Sequence, residues 1–244
     1  MTRRDLALAL LGALTACQPS AEADPVRATP APSEPPPSQR FERDLMTRLH
    51  MHASFDTARA IERLLIRGKL EDARYFARSL ASEADVPGLE PWGAQIALVR
   101  ERATAVGTAT SLDDACRAEA LLAAACATCH AAAGAQPEFR APPALPVEQQ
   151  TVASRMARHQ WAADRLWEGM IGDAEEPWRA GLDVLAAAPL TFPDREAYRA
   201  GLALRLQHLA DQARHPVSDG PIERSRLYGE ILVTCEACHA SSPK

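Results

Sequence analysis

Two copies of one pentapeptide contain the residues of this sequence that could do chemistry. Residues 126–130 read Cys-Ala-Thr-Cys-His, and residues 235–239 read Cys-Glu-Ala-Cys-His. On a helix, positions i, i+3 and i+4 share one face, so one turn can aim both sulfurs and the imidazole in the same direction. This spacing is the attachment sequence of haem c, in which two thioethers hold the porphyrin and the histidine ligates the iron. The sequence therefore predicts two haems c, with these attachment residues and iron ligands: Cys126, Cys129, Cys235, Cys238, His130 and His239.

Other uses of paired cysteines fit this sequence less well. A zinc ribbon would need both Cys-x-x-Cys pairs at one ion, whereas here each pair has its own histidine and ends its own repeat. A thioredoxin-like pair would need a βαβ context, and a disulfide between cysteines so close on a helix would be strained. We find no Ser-His-Asp set, phosphate loop or convincing carboxylate pair, so hydrolysis has no support. The net charge is −5 and the sequence has no block of basic residues, so nucleic acid is not an expected partner.

The composition predicts that helices position the two motifs. Alanine, the best helix former, is abundant, long stretches lack β-branched runs, and aromatic residues make up only 5% of the chain. Proline-rich residues 141–146 divide the sequence after residue 40 into halves, and each half ends in a motif. We expect four helices in each half, at 41–67, 69–82, 90–107, 112–130, 147–171, 176–188, 194–214 and 221–240. Candidate capping boxes are Ser111 with Asp114 and Thr191 with Asp194.

The two halves also resemble each other in sequence. At an offset of 105 residues, a helical face of the first half matches one of the second, with Met51 aligned to Met156 and Ile61 to Leu166. The motifs themselves are 109 residues apart. This duplication predicts an all-α fold of two tandem up-down four-helix bundles, over residues 41–140 and 147–244, joined by the linker 141–146.

A Cys-x-x-Cys-His near the end of a fourth helix resembles the class II cytochromes c, the cytochrome c prime family and its low-spin relatives. Each half of this chain resembles a shortened member, and together the halves cover nearly all of residues 41–244. The resemblance implies a four-helix bundle around each haem. It also implies that the sixth iron ligand, where there is one, comes from the first helix. The duplication departs from the family pattern.

The sixth ligand decides which chemistry each iron could do. Met51 and Met156 are the first candidates, since they occupy matched positions on the apolar face of each half. Histidine ligation is the alternative, because His50 and His159 are 109 residues apart, as the motifs are. His52 is a further candidate, rotated by about 100° from Met51 around the helix. An open iron is the third possibility.

The N-terminus has the features of an export signal and an anchor. Arg3 and Arg4 precede an apolar run of nine residues, too short to span a bilayer. Residues 14–17, Leu-Thr-Ala-Cys, resemble the lipobox of bacterial lipoproteins, which implies cleavage after residue 16 and acylation of Cys17. Gln18 favours the outer membrane by the same resemblance. Residues 17–40 are rich in proline and have little apolar surface to bury, so we expect an extended tether.

Together these features predict an exported dihaem cytochrome, anchored at the periplasmic side of a membrane, that transfers single electrons between redox protein partners. With six-coordinate irons it would not be an enzyme. The alternative is a small-ligand binder or peroxidase-like enzyme with one open iron, favoured by differences between the two first helices. Cys116, on the helix of the first motif, is expected to be a buried thiol.

Overall fold

The protein is described here by a computed structural model that covers residues 37–149, 151–187, 197–214 and 220–240. Within these ranges it is all-α, with eight α-helices, one short 3-10 turn at Glu90–Trp92 and no strand. The helices are α1 (Pro37–Ile66), α2 (Leu70–Ala81), α3 (Gly93–Thr108), α4 (Leu112–Ala133), α5 (Val152–Ile171), α6 (Glu175–Ala187), α7 (Ala197–Arg214) and α8 (Pro221–Ala240). The all-α prediction is confirmed. The predicted anchor residue Cys17 and residues 17–36 of the predicted tether lie outside the described residues, whereas residues 37–40 of that tether form the first turn of α1.

The ends of the first motif helix follow from local chemistry. The Ser111 hydroxyl accepts a hydrogen bond from the Asp114 backbone N–H at 3.1 Å and donates to the Asp114 carboxylate at 2.7 Å, which confirms this capping box. At the other end, Gly134 adopts a left-handed φ of 61°, which stops α4 directly after the motif. Thr151 caps α5 in the same way, through the Ser154 N–H at 3.2 Å. The box predicted at Thr191 and Asp194 lies outside the described residues.

Helices next to each other in sequence pack against each other within each half. In the first half α1 packs on α2, α2 on α3 and α3 on α4; in the second half α5 packs on α6, α6 on α7 and α7 on α8. The most extensive helix–helix contact is between α4 and α8, and it joins the two halves. The chain from Pro37 onward is accordingly one compact unit. No helix among the described residues is both long and apolar enough to cross a membrane.

The two motif helices cross near their middles in opposite directions. A Cβ built on Gly229 would lie 3.5 Å from the Ala120 Cβ and 3.3 Å from the Arg117 Cα, so the backbones approach closely here. Arg117 Nε donates to Glu230 at 2.8 Å, and further back along α4 Cys116 lies within electrostatic reach of Cys235. As residue numbers fall along α4 they rise along α8, so the pair is antiparallel. The motifs therefore lie toward opposite ends of the pair.

Candidate functional site

The cysteines of both motifs are partly buried, and none of them forms a disulfide among the described residues. Cys126 and Cys235 are half-buried, and burial raises the pKa of each thiol to about 12. Burial also raises the pKa of Cys129. In the protein without a bound group these thiols therefore stay protonated at neutral pH. Cys116 is fully buried, as predicted, and burial raises the pKa of its thiol above the ordinary range.

His130 is oriented by a hydrogen bond from the other half of the chain. Its Nδ1 lies 3.0 Å from the backbone oxygen of Ile171, the last residue of α5. A carbonyl oxygen can only accept, so Nδ1 is the donor and its proton is fixed there. Nε2 is then the nitrogen left for a metal. A ligating histidine is usually held in this way, with its second nitrogen bonded to a carbonyl or carboxylate.

His239 has a related position at the opposite end. It is exposed near the end of α8, where a Cβ built on Gly68, just after α1, would lie 3.9 Å from the Ala240 Cβ. Loss of solvent lowers the pKa of His239, and the charges of Arg67 and Arg199 lower it further. Each motif histidine thus lies beside the end of the first helix of the other half. The tandem-bundle prediction did not include this exchange.

The sixth-ligand candidates of the first half lie in the middle of α1. Met51 is 36% exposed, and His52 is exposed. His50 Nε2 lies 3.7 Å from the carboxylate of Glu83, which also accepts a hydrogen bond from the Ser54 hydroxyl at 2.8 Å. In this arrangement, His50 faces the acid that follows α2.

The candidates of the second half lie on α5 and differ in their surroundings. Met156 is half-buried. His159 Nε2 is buried and has no hydrogen-bond partner. The pKa of His159 is lowered to about 4, mainly by burial and also by the charges of His239 and Arg158. His159 is therefore a neutral imidazole with an unused nitrogen near the second motif, which is the form that binds a metal.

A buried polar cluster at the helix crossing was not predicted from the sequence. We call Glu62, Glu119, Trp167 and Tyr228 the central cluster; all four side chains are 0–1% exposed. The Tyr228 hydroxyl donates to Glu62 Oε1 at 2.6 Å, and the Trp167 and Tyr228 rings lie 6.5 Å apart. Four polar atoms here have no hydrogen-bond partner: Glu62 Oε2, Glu119 Oε1, Glu119 Oε2 and Trp167 Nε1.

The internal repeat contains a signal that could have identified this cluster. At the offset of 105 residues Glu62 aligns with Trp167, and at the motif offset of 109 Glu119 aligns with Tyr228. Each half therefore has one polar or aromatic residue at each of two matched core positions. Two acids at positions where the other half has large buried aromatic rings indicate buried carboxyls.

Comparison with known protein families, with curated proteins and with solved structures finds no match to this chain. Its function must therefore be argued from the motifs and the geometry. The residues fit haem c on two observations: the His130 tautomer leaves Nε2 available, and His159 has an orphaned buried nitrogen near His239.

Proposed function

We propose that this protein is a dihaem c-type cytochrome that transfers single electrons. The observation that carries the proposal is the pair of Cys-x-x-Cys-His motifs near the ends of α4 and α8, together with the His130 Nδ1 to Ile171 hydrogen bond. In each motif one helical turn presents two sulfurs and an imidazole on one face. Each motif has its own two cysteines and its own histidine, so each can attach one haem by itself.

The residues have separate roles in this proposal. Cys126 and Cys129 hold the first haem through thioethers, and Cys235 with Cys238 hold the second; the bound iron supplies the one-electron chemistry. His130 is oriented by the Ile171 carbonyl, which accepts from Nδ1 and leaves Nε2 as the nitrogen that would ligate the iron. His239 is the equivalent ligand on α8. In this proposal each half is one haem-binding bundle, over residues 41–140 and 147–244.

The sixth ligand of the second site is His159 in this proposal. Its buried, unpartnered Nε2 and its nearness to His239 favour it over Met156, whose half-buried side chain has no such requirement. A neutral imidazole with no hydrogen bond in the interior is costly unless something binds it, and an iron would do so. Met156 and Met51 remain the sequence-based predictions that the same experiments test.

A second candidate function follows from the difference between the halves. Ser54, the counterpart of His159 at the offset of 105, is bonded to Glu83, and Met51 is 36% exposed. This arrangement favours a first iron without a strong protein ligand. Such an iron could bind a small molecule or react with peroxide, while the second site would only carry electrons.

The experiment that tests the main proposal is expression in a host that attaches haem c, followed by denaturing gel electrophoresis with haem staining and by haem quantification. We expect two haems per chain that stay bound after denaturation. Cys126→Ala with Cys129→Ala should leave one haem, and Cys235→Ala with Cys238→Ala should leave the other. Cys116→Ala is the matched control and should keep both. A chain without covalent haem would overturn the proposal.

The cell location is also part of the proposal. Haem c is attached on the exported side of the membrane, and acylation of Cys17 would keep the protein there, with redox proteins as partners. Membrane fractionation of the full chain and of Cys17→Ser tests this. We expect the variant to move to the soluble periplasmic fraction with its haems in place. An intact chain in the cytoplasm would contradict it.

A further inference from the structure

We infer that reduction of this protein is coupled to proton uptake by the carboxyl groups of Glu62 and Glu119 in the central cluster. The inference deepens the proposed function and rests on it, because it needs an electron to arrive at the motifs. The carboxyl groups that take up the proton lie outside both Cys-x-x-Cys-His motifs. The carboxyls lie where the two motif helices cross, between the two attachment sites.

The cluster is equally placed with respect to both motifs. Glu119 precedes Cys126 by seven residues, and Tyr228 precedes Cys235 by seven. Seven residues are two helical turns on the same face, about 10 Å along the axis. Glu119 acts electrostatically on Cys126, while Glu62 and Tyr228 act on Cys235. A charge added at either motif is therefore felt at a carboxyl of the cluster.

The carboxyl groups of Glu62 and Glu119 cannot both be ionised in this place, so at least one of them holds a proton. Both side chains are fully buried, and three of their four oxygens have no hydrogen-bond partner. Burial raises the pKa of Glu62 to about 7, despite the Tyr228 hydrogen bond that opposes the shift. Burial raises the pKa of Glu119 well above its ordinary value, and Glu62 raises it further. Trp167, whose ring lies 6.5 Å from that of Tyr228, adds a buried N–H without a hydrogen-bond partner.

Several charged or titratable groups face Glu62 from the helices packed around it. They are Arg59 and Arg63 on α1, Glu119 on α4, Asp164 on α5, and Tyr228 and Cys235 on α8. Asp164 raises the pKa of Glu62, and the two arginines, both bonded to Asp164, lower it. Arg59, Arg63 and Asp164 are partly exposed, with side-chain exposures of 19–41%. A proton from solvent can reach Glu62 past these three residues.

The balance of the step is simple. The donor partner gives one electron to an iron, and solvent gives one proton to a carboxylate oxygen of Glu62 or Glu119, forming one O–H bond. Net charge in the interior is then unchanged. Since the added electron favours the protonated carboxyl, each raises the other's affinity, and the reduction potential falls as pH rises. The slope begins where the oxidised protein starts to lose the proton.

The experiment is spectroelectrochemical titration of the holoprotein between pH 5 and 9. We expect potentials that fall above about pH 7, by up to about 59 mV per pH unit, the limit for one proton per electron. Glu119→Gln should flatten mainly the first haem, and Glu62→Gln mainly the second. Glu230→Gln is the control, a carboxylate at the same crossing that Arg117 and Arg205 keep ionised. It should shift the potentials but keep the slope.

Potentials that do not change with pH, or a slope that survives in both glutamine variants, would overturn the inference. If both variants fail to retain haem, the infrared difference spectrum of the unaltered protein decides. Reduction should then increase the absorption of a protonated carboxyl, with a shift in heavy water, and no such band would overturn it. A chain without haem is recognised first by its absorbance and would overturn the proposed function as well.

Discussion

Arg59 and Asp164 form a 2.8 Å ion pair between α1 and α5, and the two residues are each other's counterparts at the repeat offset of 105. The first helices of the two halves thus meet at equivalent positions, as α4 and α8 do at Ala120 and Gly229. Arg63 joins the same carboxylate at 3.3 Å. One acid therefore links the halves beside the central cluster.

Asp164→Ala should destabilise the protein by about 1–3 kcal/mol, because it leaves two partly buried guanidinium groups without their partner. The measurement is the free energy of unfolding in denaturant. Asp183→Ala is the matched control, since its pair with Arg214 is exposed on both sides and should contribute less than about 1 kcal/mol. Equal losses in the two variants would contradict a linking role for Asp164.

Absorption spectra of single variants distinguish the sixth ligands. His159→Ala should convert the second haem to a high-spin spectrum and leave the first unchanged, because His159 interacts with His239 of the second motif. Met156→Ala is its neighbour control on α5, and Met51→Ala tests the first site. The methionine assignment from the sequence would hold instead if Met51→Ala and Met156→Ala each convert one haem. Carbon monoxide binding to the unaltered reduced protein should mark an open first iron.

The stability of the protein should fall as the pH rises from about 4.5 to 7, through the titration of Glu62. The folded pKa of about 7 exceeds the ordinary 4.5, so the folded state holds the proton longer than the unfolded state does. The contribution is fully present below pH 4.5 and is lost by the time Glu62 ionises in the fold. The span of about 2.5 pH units corresponds to about 3 kcal/mol. The difference in unfolding free energy between the unaltered protein and Glu62→Gln isolates this contribution, and a pH-independent difference would refute it.

Phe139 should matter for the first site alone. It packs on Phe55 with ring centroids 5.8 Å apart, and a Cβ built on Gly172 would lie 2.9 Å from its ring. It therefore supports the turn after α5, whose Ile171 carbonyl holds His130. Phe139→Ala should change the potential or spectrum of the first haem and not the second. Phe76→Ala, at an exposed ring on α2, should change neither.

Much of the helical framework could be predicted because its signals are local. The predicted 112–130 and 221–240 correspond to α4 (Leu112–Ala133) and α8 (Pro221–Ala240), since Ser111 and Pro221 mark their first turns. The prediction for α5 began at 147, five residues before Val152. There the Thr151 hydroxyl accepts the Ser154 N–H and so sets the start of the helix, a capping interaction that was not predicted.

The contacts between the halves could not be predicted from the sequence. The repeat shows which positions correspond, but correspondence does not tell whether Ala120 faces its counterpart Gly229 or solvent. The hydrogen bond from His130 to Ile171 depends on where two distant helix ends meet, and a backbone carbonyl has no sequence signature. The burial of Glu119 was not predicted because an acid on an alanine-rich helix is normally solvated, and here the helices packed against α4 bury it.

Because α4 and α8 cross in opposite directions, the two motif histidines lie toward opposite ends of this helix pair. His130 follows Ala120 by ten residues and His239 follows Gly229 by ten, which places the two imidazoles about 30 Å apart along the pair. If each end carries a haem, as proposed, a donor docked at one end would leave the other end accessible to an acceptor. The protein could then bind both partners at once, rather than exchange one for the other at a shared surface.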